Sequence, residues 1–208
     1  MDGLVSNLAL ISGVAGGEAE PHIVALAGLA GLIAGAFSMA VGEYTSVAAQ
    51  SELALAEIQV ERAELRRRPR AEQAELAQLY VSRGVDPELA DKVAEQLSRD
   101  PEKALEIHVR EELGVSPNDL PSPWLAAISS FLSFAIGAFV PVLPYVLGAT
   151  SVWPSLVLAM AALFLCGAVV SRITARTWWY TGLRQLVLGG AAAGITYVFG
   201  SLVGAGLT

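Results

Sequence analysis

The stretch from Glu52 to Asp119 is rich in side chains whose types and spacing suit a metal ion. Residues three or four positions apart share one face of a helix, so carboxylates at these spacings come close together and repel one another. A bound cation would reverse the sign of that interaction. Carboxylate combined with imidazole suits Fe, Mn or Zn better than Ca or Mg. The candidate ligands at such spacings are Glu61, Glu64, Glu72, Glu75, His108 and Glu112, with Glu57 four residues before Glu61.

The sequence also allows a simpler interpretation of the same residues. Taken singly, each of these Glu side chains is more typical of a solvated helix face than of a metal ligand. Arg62 and the run Arg66–Arg68 are interleaved with them and could form ion pairs instead. Spacing alone leaves both interpretations open.

A second group of candidate residues lies in strongly apolar segments. An ionisable side chain inside a membrane span costs roughly 2.5–3.5 kcal/mol, so Asp2 and Glu43 are expected to face a pathway or a partner. Glu43 continues a stripe formed by Gly31, Gly35 and Met39. On this stripe Met39 could be a soft ligand for a transition metal, although Met is more often a packing residue. The alternative for Glu43 is a solvated carboxylate at the end of a span.

Composition indicates the setting in which these residues act. Hydrophobic residues make up 54% of the chain and charged residues 16%, whereas a soluble domain has about 25% charged residues. Runs of about 20 apolar residues suffice to span a bilayer as helices. We therefore predict an all-α membrane protein with five transmembrane helices and a helical insert between the second and the third. The predicted spans are Leu4–Gly17, Ile23–Gln50, Trp124–Leu147, Val152–Val170 and Leu183–Leu207.

The basic residues predict the orientation of the spans. Ten of the 13 Lys and Arg residues lie between Arg62 and Arg110, and the other three lie between Arg172 and Arg184. Since cytoplasmic loops carry the excess of Lys and Arg, the insert and the N-terminus are predicted to be cytoplasmic and the C-terminus external. The domains are then 1–50 with the first two spans, 51–119 as the acidic insert, and 120–208 with the last three spans.

The insert is predicted to be a bundle of helices. The second span continues into water as far as Pro69, and a second helix covers Ala71–Ser82. Further helices start at Asp86 and Asp100, where an N-cap residue precedes a proline at the first helical position. The last of them ends near Gly114.

Small residues and prolines predict how the spans pack. Gly31/Gly35, Gly190/Gly194 and Gly200/Gly204 are GxxxG pairs, which allow helix backbones to approach closely in lipid. We expect the Gly31/Gly35 face to lie at the two-fold axis of a homodimer. Pro141 and Pro144 are expected to kink or break the third span.

Three segments resemble the vacuolar iron transporter family: DGLVSNLALISGVAGG at the start, SMAVGEYTSVAAQSE in the second span, and EELGV before the linker. The resemblance, to a bacterial-type member, covers essentially the whole chain. It implies a homodimer that moves Fe²⁺, often also Mn²⁺, out of the cytosol in exchange for protons, along a path between the two copies of the first and second spans. It further implies that Asp2 and Met39 line this path and that Glu43 lies beside it. The residues that match the family's acidic metal-binding positions are Glu61, Glu64, Glu72, Glu75 and Glu112.

Two departures from the family pattern affect these expectations. Family members usually carry residues before the DG motif, so we expect either a truncated chain or a misassigned start codon, which bears on the role of Asp2. His108 stands where the plant members carry methionines, and we expect it to alter metal preference and to close the Glu cluster.

The function predicted from the sequence is a proton-coupled divalent-metal transporter in the inner membrane of a bacterium. Its partners are metal ions, protons, membrane lipid and a second copy of the chain, and no nucleic acid. Fe²⁺ or Mn²⁺ is the substrate, Zn²⁺ or Co²⁺ can occupy the same sites, and no cofactor is permanently bound. With no hydrolase, kinase or redox motif, an enzyme is not expected. The alternative is a membrane-anchored metal sensor or scaffold, which needs the Glu cluster but neither Asp2 nor Glu43.

Overall fold

The computed structural model describes residues 1–207, and within that range it contains helices and no strand. The all-α prediction is therefore confirmed. A short π-helical turn, Val109–Leu113, follows the fifth helix directly. The helices are α1 Asp2–Gly16, α2 Pro21–Arg67, α3 Pro69–Ser82, α4 Pro87–Leu97, α5 Pro101–His108, α6 Pro123–Val146, α7 Trp153–Val170 and α8 Trp178–Leu207.

Four of the helices, α2, α6, α7 and α8, are long and apolar enough to cross a membrane. Helix α1 is apolar but has 15 residues, about 22 Å at 1.5 Å per residue. The hydrocarbon core of a bilayer is about 30 Å thick, so α1 alone falls short of a full span. The structure thus supports four of the five predicted spans by length, and a full span at α1 stays a prediction.

The chain divides into two compact units. The span unit comprises Met1–Glu43 and the chain from Trp124 onward, and the acidic unit is Tyr44–Pro123. Helix α2 contributes its first part to the span unit and its second part to the acidic unit. The predicted domain limits at residues 51 and 119 lie within the acidic unit.

Glycines allow close helix packing in the span unit. A Cβ atom on Gly204 would lie 2.9 Å from the Cα of Gly17, and one on Gly200 would overlap the carbonyl of Gly13. The close approach predicted for Gly200/Gly204 is therefore confirmed, and it joins α8 to α1. A Cβ on Gly194 would meet nothing within 4 Å, so that glycine makes no such contact within the described chain.

The Gly31/Gly35 pair packs inside the chain. A Cβ on Gly31 would overlap Leu10 and approach Oδ1 of Asn7, and one on Gly35 would overlap the ring of Phe134. These glycines thus make room for side chains of α1 and α6. These contacts are made within one chain, and the position of this glycine face at a two-fold axis stays a prediction.

Helix α6 continues through Pro141 and Pro144, so the prolines do not break it, and the expected kink stays a prediction. Both residues lie in the last two turns of a helix that ends at Val146. Each proline still removes one hydrogen bond, because it has no N–H to donate to the carbonyl group four residues earlier.

The acidic unit begins its shorter helices where the sequence predicts. The Asp86 carboxylate accepts from the backbone N–H groups of Glu88 and Leu89, and Asp100 caps α5 in the same way. Both predicted helix starts are confirmed. Helix α3 starts at Pro69, ahead of the predicted Ala71, because proline is well tolerated at the first position of a helix.

Two apolar clusters hold the acidic unit together. Ile58 of α2 packs with Leu105 of α5 and Val109 of the π-helical turn. The second cluster joins α3 to α4 through Leu76, Ala77 and Ala94. These contacts place one face of α2 and the start of α3 beside the end of α5, where the candidate ligands lie.

Candidate metal centre

His108 is the centre of a group of ionisable side chains in the acidic unit. Its side chain is fully buried, and its Nδ1 lies 3.1 Å from Oε1 of Glu61 and 3.2 Å from Oε1 of Glu112. Since one ring nitrogen carries at most one proton, Nδ1 cannot donate to both carboxylates. The geometry suits a hydrogen bond with Glu112 only, and within the described chain Oε1 of Glu61 has no hydrogen bond.

The ligand atoms form two groups that share Glu61. One group is Glu61, His108 and Glu112, and the other is Glu61, Glu64 and Glu72; within each, the atoms lie within 4.8 Å of one another. Nitrogen and oxygen ligands of Zn²⁺ lie at about 2.0–2.2 Å from the ion, so atoms this close can converge on one ion with small side-chain movements. The first group offers mixed nitrogen and oxygen ligands, and the second offers oxygen alone.

Burial and mutual repulsion shape the acidity of these carboxyls. Glu61 is 8% exposed, and burial, reinforced by the charges of Glu112, Glu72, Glu64 and Glu75, raises its pKa from 4.5 to about 7. Burial also raises the pKa of Glu72, as do Glu75 and Glu64, whereas His108 lowers it. A divalent cation would replace this repulsion by attraction and favour the ionised carboxylates.

The other charged candidates take peripheral positions. Glu75 is exposed and outside both groups of converging ligand atoms, although its charge acts on Glu61 and Glu72. The guanidinium of Arg62 lies 3.6 Å from the carboxylate of Glu102. Among the residues that the structure describes, no ion pair joins Arg62 to the clustered Glu side chains.

The π-helical turn Val109–Leu113 positions Glu112. Such turns are rare and often occur at functional sites. The sequence predicted the His108/Glu112 pair from helical spacing, but it gave no signal for the π geometry. The turn ends at Gly114, whose φ of 67° is in the left-handed region that favours glycine.

A groove of about 310 Å³ in the span unit brings together Asp2 of α1 and Met39 of α2. Ser6 and Asn7 also line this groove, and the Ser6 hydroxyl donates to Oδ1 of Asp2 at 3.1 Å. Glu43 is exposed and does not line it. Sequence reasoning missed Asn7, although an amide in the middle of an apolar helix could have been noticed.

Comparison with known proteins identifies relatives along nearly the whole chain. Residues 1–201 match the sequence model of the VIT family. The chain is 41% identical to a vacuolar iron transporter of Acanthamoeba castellanii over 154 residues, which cover 70% of this chain and 58% of that protein. It is 30% identical to vacuolar iron transporter 1 of Oryza sativa subsp. japonica over 199 residues, or 94% and 79% of the two chains. Vacuolar iron transporter 1 of Arabidopsis thaliana is 28% identical over 205 residues, or 97% and 82%.

These matches bear on two expectations from the sequence. The relatives carry transporter names, so the prediction of a protein that is not an enzyme is confirmed. All three are from eukaryotes, and the bacterial-type assignment is not supported by them. The alignment with the amoeba protein spans less than two thirds of that protein's length.

Proposed function

Because this chain belongs to the VIT family, we propose that it transports a divalent metal ion across a membrane, with Fe²⁺ as substrate and Mn²⁺ as a second. The relatives are named as iron transporters, and four helices of this chain are suited to a bilayer. The metal is cargo in this account. No permanently bound cofactor is needed.

The observation that carries the proposal is the convergence of two groups of ligand atoms that share Glu61. Glu61 lies with His108 and Glu112 in one group and with Glu64 and Glu72 in the other. Buried carboxylates beside an imidazole are costly without a cation, because their charges repel in a poorly solvated site. We infer that these five residues capture metal, with Glu75 adding negative charge nearby. Zn²⁺ and Co²⁺ can enter the same sites, since imidazole and carboxylate bind them as well.

The groove with Asp2 and Met39 is the proposed start of the transport path. A carboxylate and a thioether suit a borderline ion such as Fe²⁺. We propose that two copies of the chain form a homodimer through α1 and α2, surrounded by lipid, so that facing grooves complete the path. Asp2 and Glu43 would bind protons and metal in turn, which couples metal movement to proton movement.

The basic residues support the proposed orientation: the acidic unit and the N-terminus would face the cytoplasm and the C-terminus the opposite side. We propose that metal captured by the acidic unit then leaves the cytosol. The proposed location is the inner membrane of a bacterium, as predicted from the sequence, and the three eukaryotic relatives do not support it.

One observation favours the alternative of a metal sensor or scaffold. Glu43 is exposed and does not line the groove with Asp2 and Met39, so a path within one subunit lacks one of its expected carboxylates. A sensor needs only the metal centre and no path.

Reconstitution separates the two functions. The purified protein is placed in liposomes that contain a metal-sensitive and a pH-sensitive dye, and Mn²⁺ or Fe²⁺ is added outside. If the protein is a transporter, metal enters the liposomes while protons leave them. The internal metal signal then disappears when the pH gradient is collapsed. Metal binding without any internal signal would instead identify the sensor.

A further inference from the structure

Asn7 is a buried polar residue of α1 whose orientation is fixed by the neighbouring helices. It is 2% exposed, and its amide nitrogen donates to the carbonyl oxygen of Gly28 at 3.1 Å and to that of Ala138 at 2.7 Å. Both partners can only accept hydrogen bonds, so the nitrogen must face them. The Oδ1 atom is thereby directed away from both carbonyls.

This Oδ1 atom has no hydrogen-bond partner in the described chain. A buried acceptor without a partner is unfavourable, and native structures contain few of them. Asn7 lines the groove that also holds Asp2 and Met39. An unpaired oxygen in the lining of a groove that also contains a carboxylate and a thioether points to a cation as the missing partner.

Gly31 of α2 packs closely against this oxygen and against Leu10. A Cβ on Gly31 would lie 2.9 Å from Oδ1 of Asn7 and would overlap the end of the Leu10 side chain. Leu10 is 40% exposed, so its side chain can move aside, whereas Asn7 is held by its two hydrogen bonds. A methyl group at Gly31 would therefore crowd Oδ1, and an ion reaches this oxygen when the Leu10 side chain moves aside.

We propose that Oδ1 of Asn7 is a ligand for a divalent cation in this groove and that it favours Mn²⁺ over Zn²⁺ there. The inference rests on the proposed function and adds a residue to the path. Carbonyl and carboxylate oxygens suit Mn²⁺, whereas the thioether of Met39 suits softer ions. Asn7 thus shifts a mixed site towards the harder metal.

If Asn7 only joined helices through hydrogen bonds, its side-chain nitrogen alone would be needed. The amide nitrogen alone bonds to α2 and α6, and the oxygen contributes nothing to that contact. A variant that obstructs the oxygen and leaves the nitrogen in place can therefore separate the two roles. Gly31→Ala is such a variant.

The experiment measures Mn²⁺ binding to the intact protein by electron paramagnetic resonance, in a Glu61→Ala, His108→Ala background that disables the metal centre. Gly31→Ala is compared with Gly42→Ala on the same helix, where a Cβ would meet nothing within 4 Å. We expect the affinity of the remaining site for Mn²⁺ to fall about tenfold in Gly31→Ala and to be unchanged in Gly42→Ala. The affinity for Zn²⁺, measured by competition, should fall less in Gly31→Ala. Thermal unfolding of each variant checks that the fold is retained.

Two results would overturn the inference: equal Mn²⁺ affinity in Gly31→Ala and its background, or no Mn²⁺ binding left once the metal centre is disabled. If Gly31→Ala unfolds, Asn7→Leu in the same background takes its place and must weaken Mn²⁺ binding. Absence of flux in liposomes, with groove binding retained, would contradict the proposed transport and leave the assignment of Asn7 intact.

Discussion

Nδ1 of His108, at the end of α5, lies 3.1 Å from Oε1 of Glu61 on α2, and both side chains are buried. The two residues are far apart in the sequence and meet because Leu105 and Val109 pack on Ile58. A hydrophobic contact in the acidic unit thus assembles a polar site. Removal of His108 and removal of Glu61 should therefore have different effects on metal affinity and metal preference.

Replacement of His108 should change metal preference. In His108→Leu the imidazole is lost at similar volume, so affinity for Zn²⁺ and Co²⁺ should fall by about tenfold or more, and that for Mn²⁺ by less, because imidazole suits the former ions better. Titration calorimetry on the intact protein measures this. His22→Leu is the control, since His22 is exposed. Equal losses for all three metals would contradict a role for the ring in selection.

The structure separates two Glu residues that the sequence treats alike. Glu72 is buried among the converging ligand atoms, whereas Glu75 is exposed and outside them. Glu72→Ala should therefore weaken Mn²⁺ binding by about tenfold, and Glu75→Ala should lower it only slightly through lost negative charge. Calorimetry at two salt concentrations tests this, since screening removes the Glu75 effect alone. A larger effect of Glu75→Ala would mean that the ligand set is misassigned.

Metal binding should depend on pH through Glu61. Its pKa is raised to about 7, so metal must displace a proton below that pH, and affinity should rise from pH 5.5 to about pH 7 and then level off. Calorimetry in buffers of different ionisation enthalpy counts the proton released. Glu61→Gln should remove the release and weaken binding, whereas Glu57→Gln, at an exposed position, should do neither.

The same pKa determines how stability depends on pH without metal. A carboxyl whose folded pKa lies above its unfolded value of 4.5 binds more protons in the folded state, so stability is lost as pH rises from 4.5 to about 7. The loss is on the order of 3 kcal/mol. The melting temperature of metal-free protein should thus be higher at pH 5 than at pH 8, and Mn²⁺ should restore it at pH 8. A melting temperature that rises with pH in the absence of metal would contradict this.

Gly35 should matter for the fold of one chain. A Cβ there would overlap the ring of Phe134 on α6. Gly35→Leu should therefore lower the free energy of unfolding by about 1–3 kcal/mol through overpacking, and with it the melting temperature. Phe134→Ala in the same chain should relieve part of that loss. The double-mutant cycle in detergent checks the coupling. Additive effects of the two substitutions would show that the clash is not the cause.

Local features of this fold could be predicted from the sequence. The helix starts at Asp86 and Asp100 depend on neighbours within one turn, and the pairing of His108 with Glu112 follows from their spacing of four residues, even though the turn between them is π-helical. Such features need no knowledge of the tertiary structure. The resemblance to the family is likewise confirmed.

Features that depend on which elements meet could not be predicted. The GxxxG pair at Gly31 indicates close approach to some surface, but not that the surface is α1 of the same chain. Spacing places Glu72 and Glu75 on one helix face, whereas burial of Glu72 alone depends on how α3 packs. Asn7 has a role only because the carbonyls of Gly28 and Ala138 come within its reach.

Metal capture and metal transport are proposed to use different residues, and one measurement tests this separation most directly. Wild-type, Glu43→Gln and Glu61→Ala proteins are reconstituted in liposomes, and internal metal and pH are recorded together. Glu43→Gln should stop Mn²⁺ flux while calorimetry still detects Mn²⁺ at the metal centre. Glu61→Ala should raise the apparent KM by about tenfold and keep proton-coupled flux at high metal. Wild-type flux in Glu43→Gln, or flux without proton movement in the wild-type protein, would contradict the account.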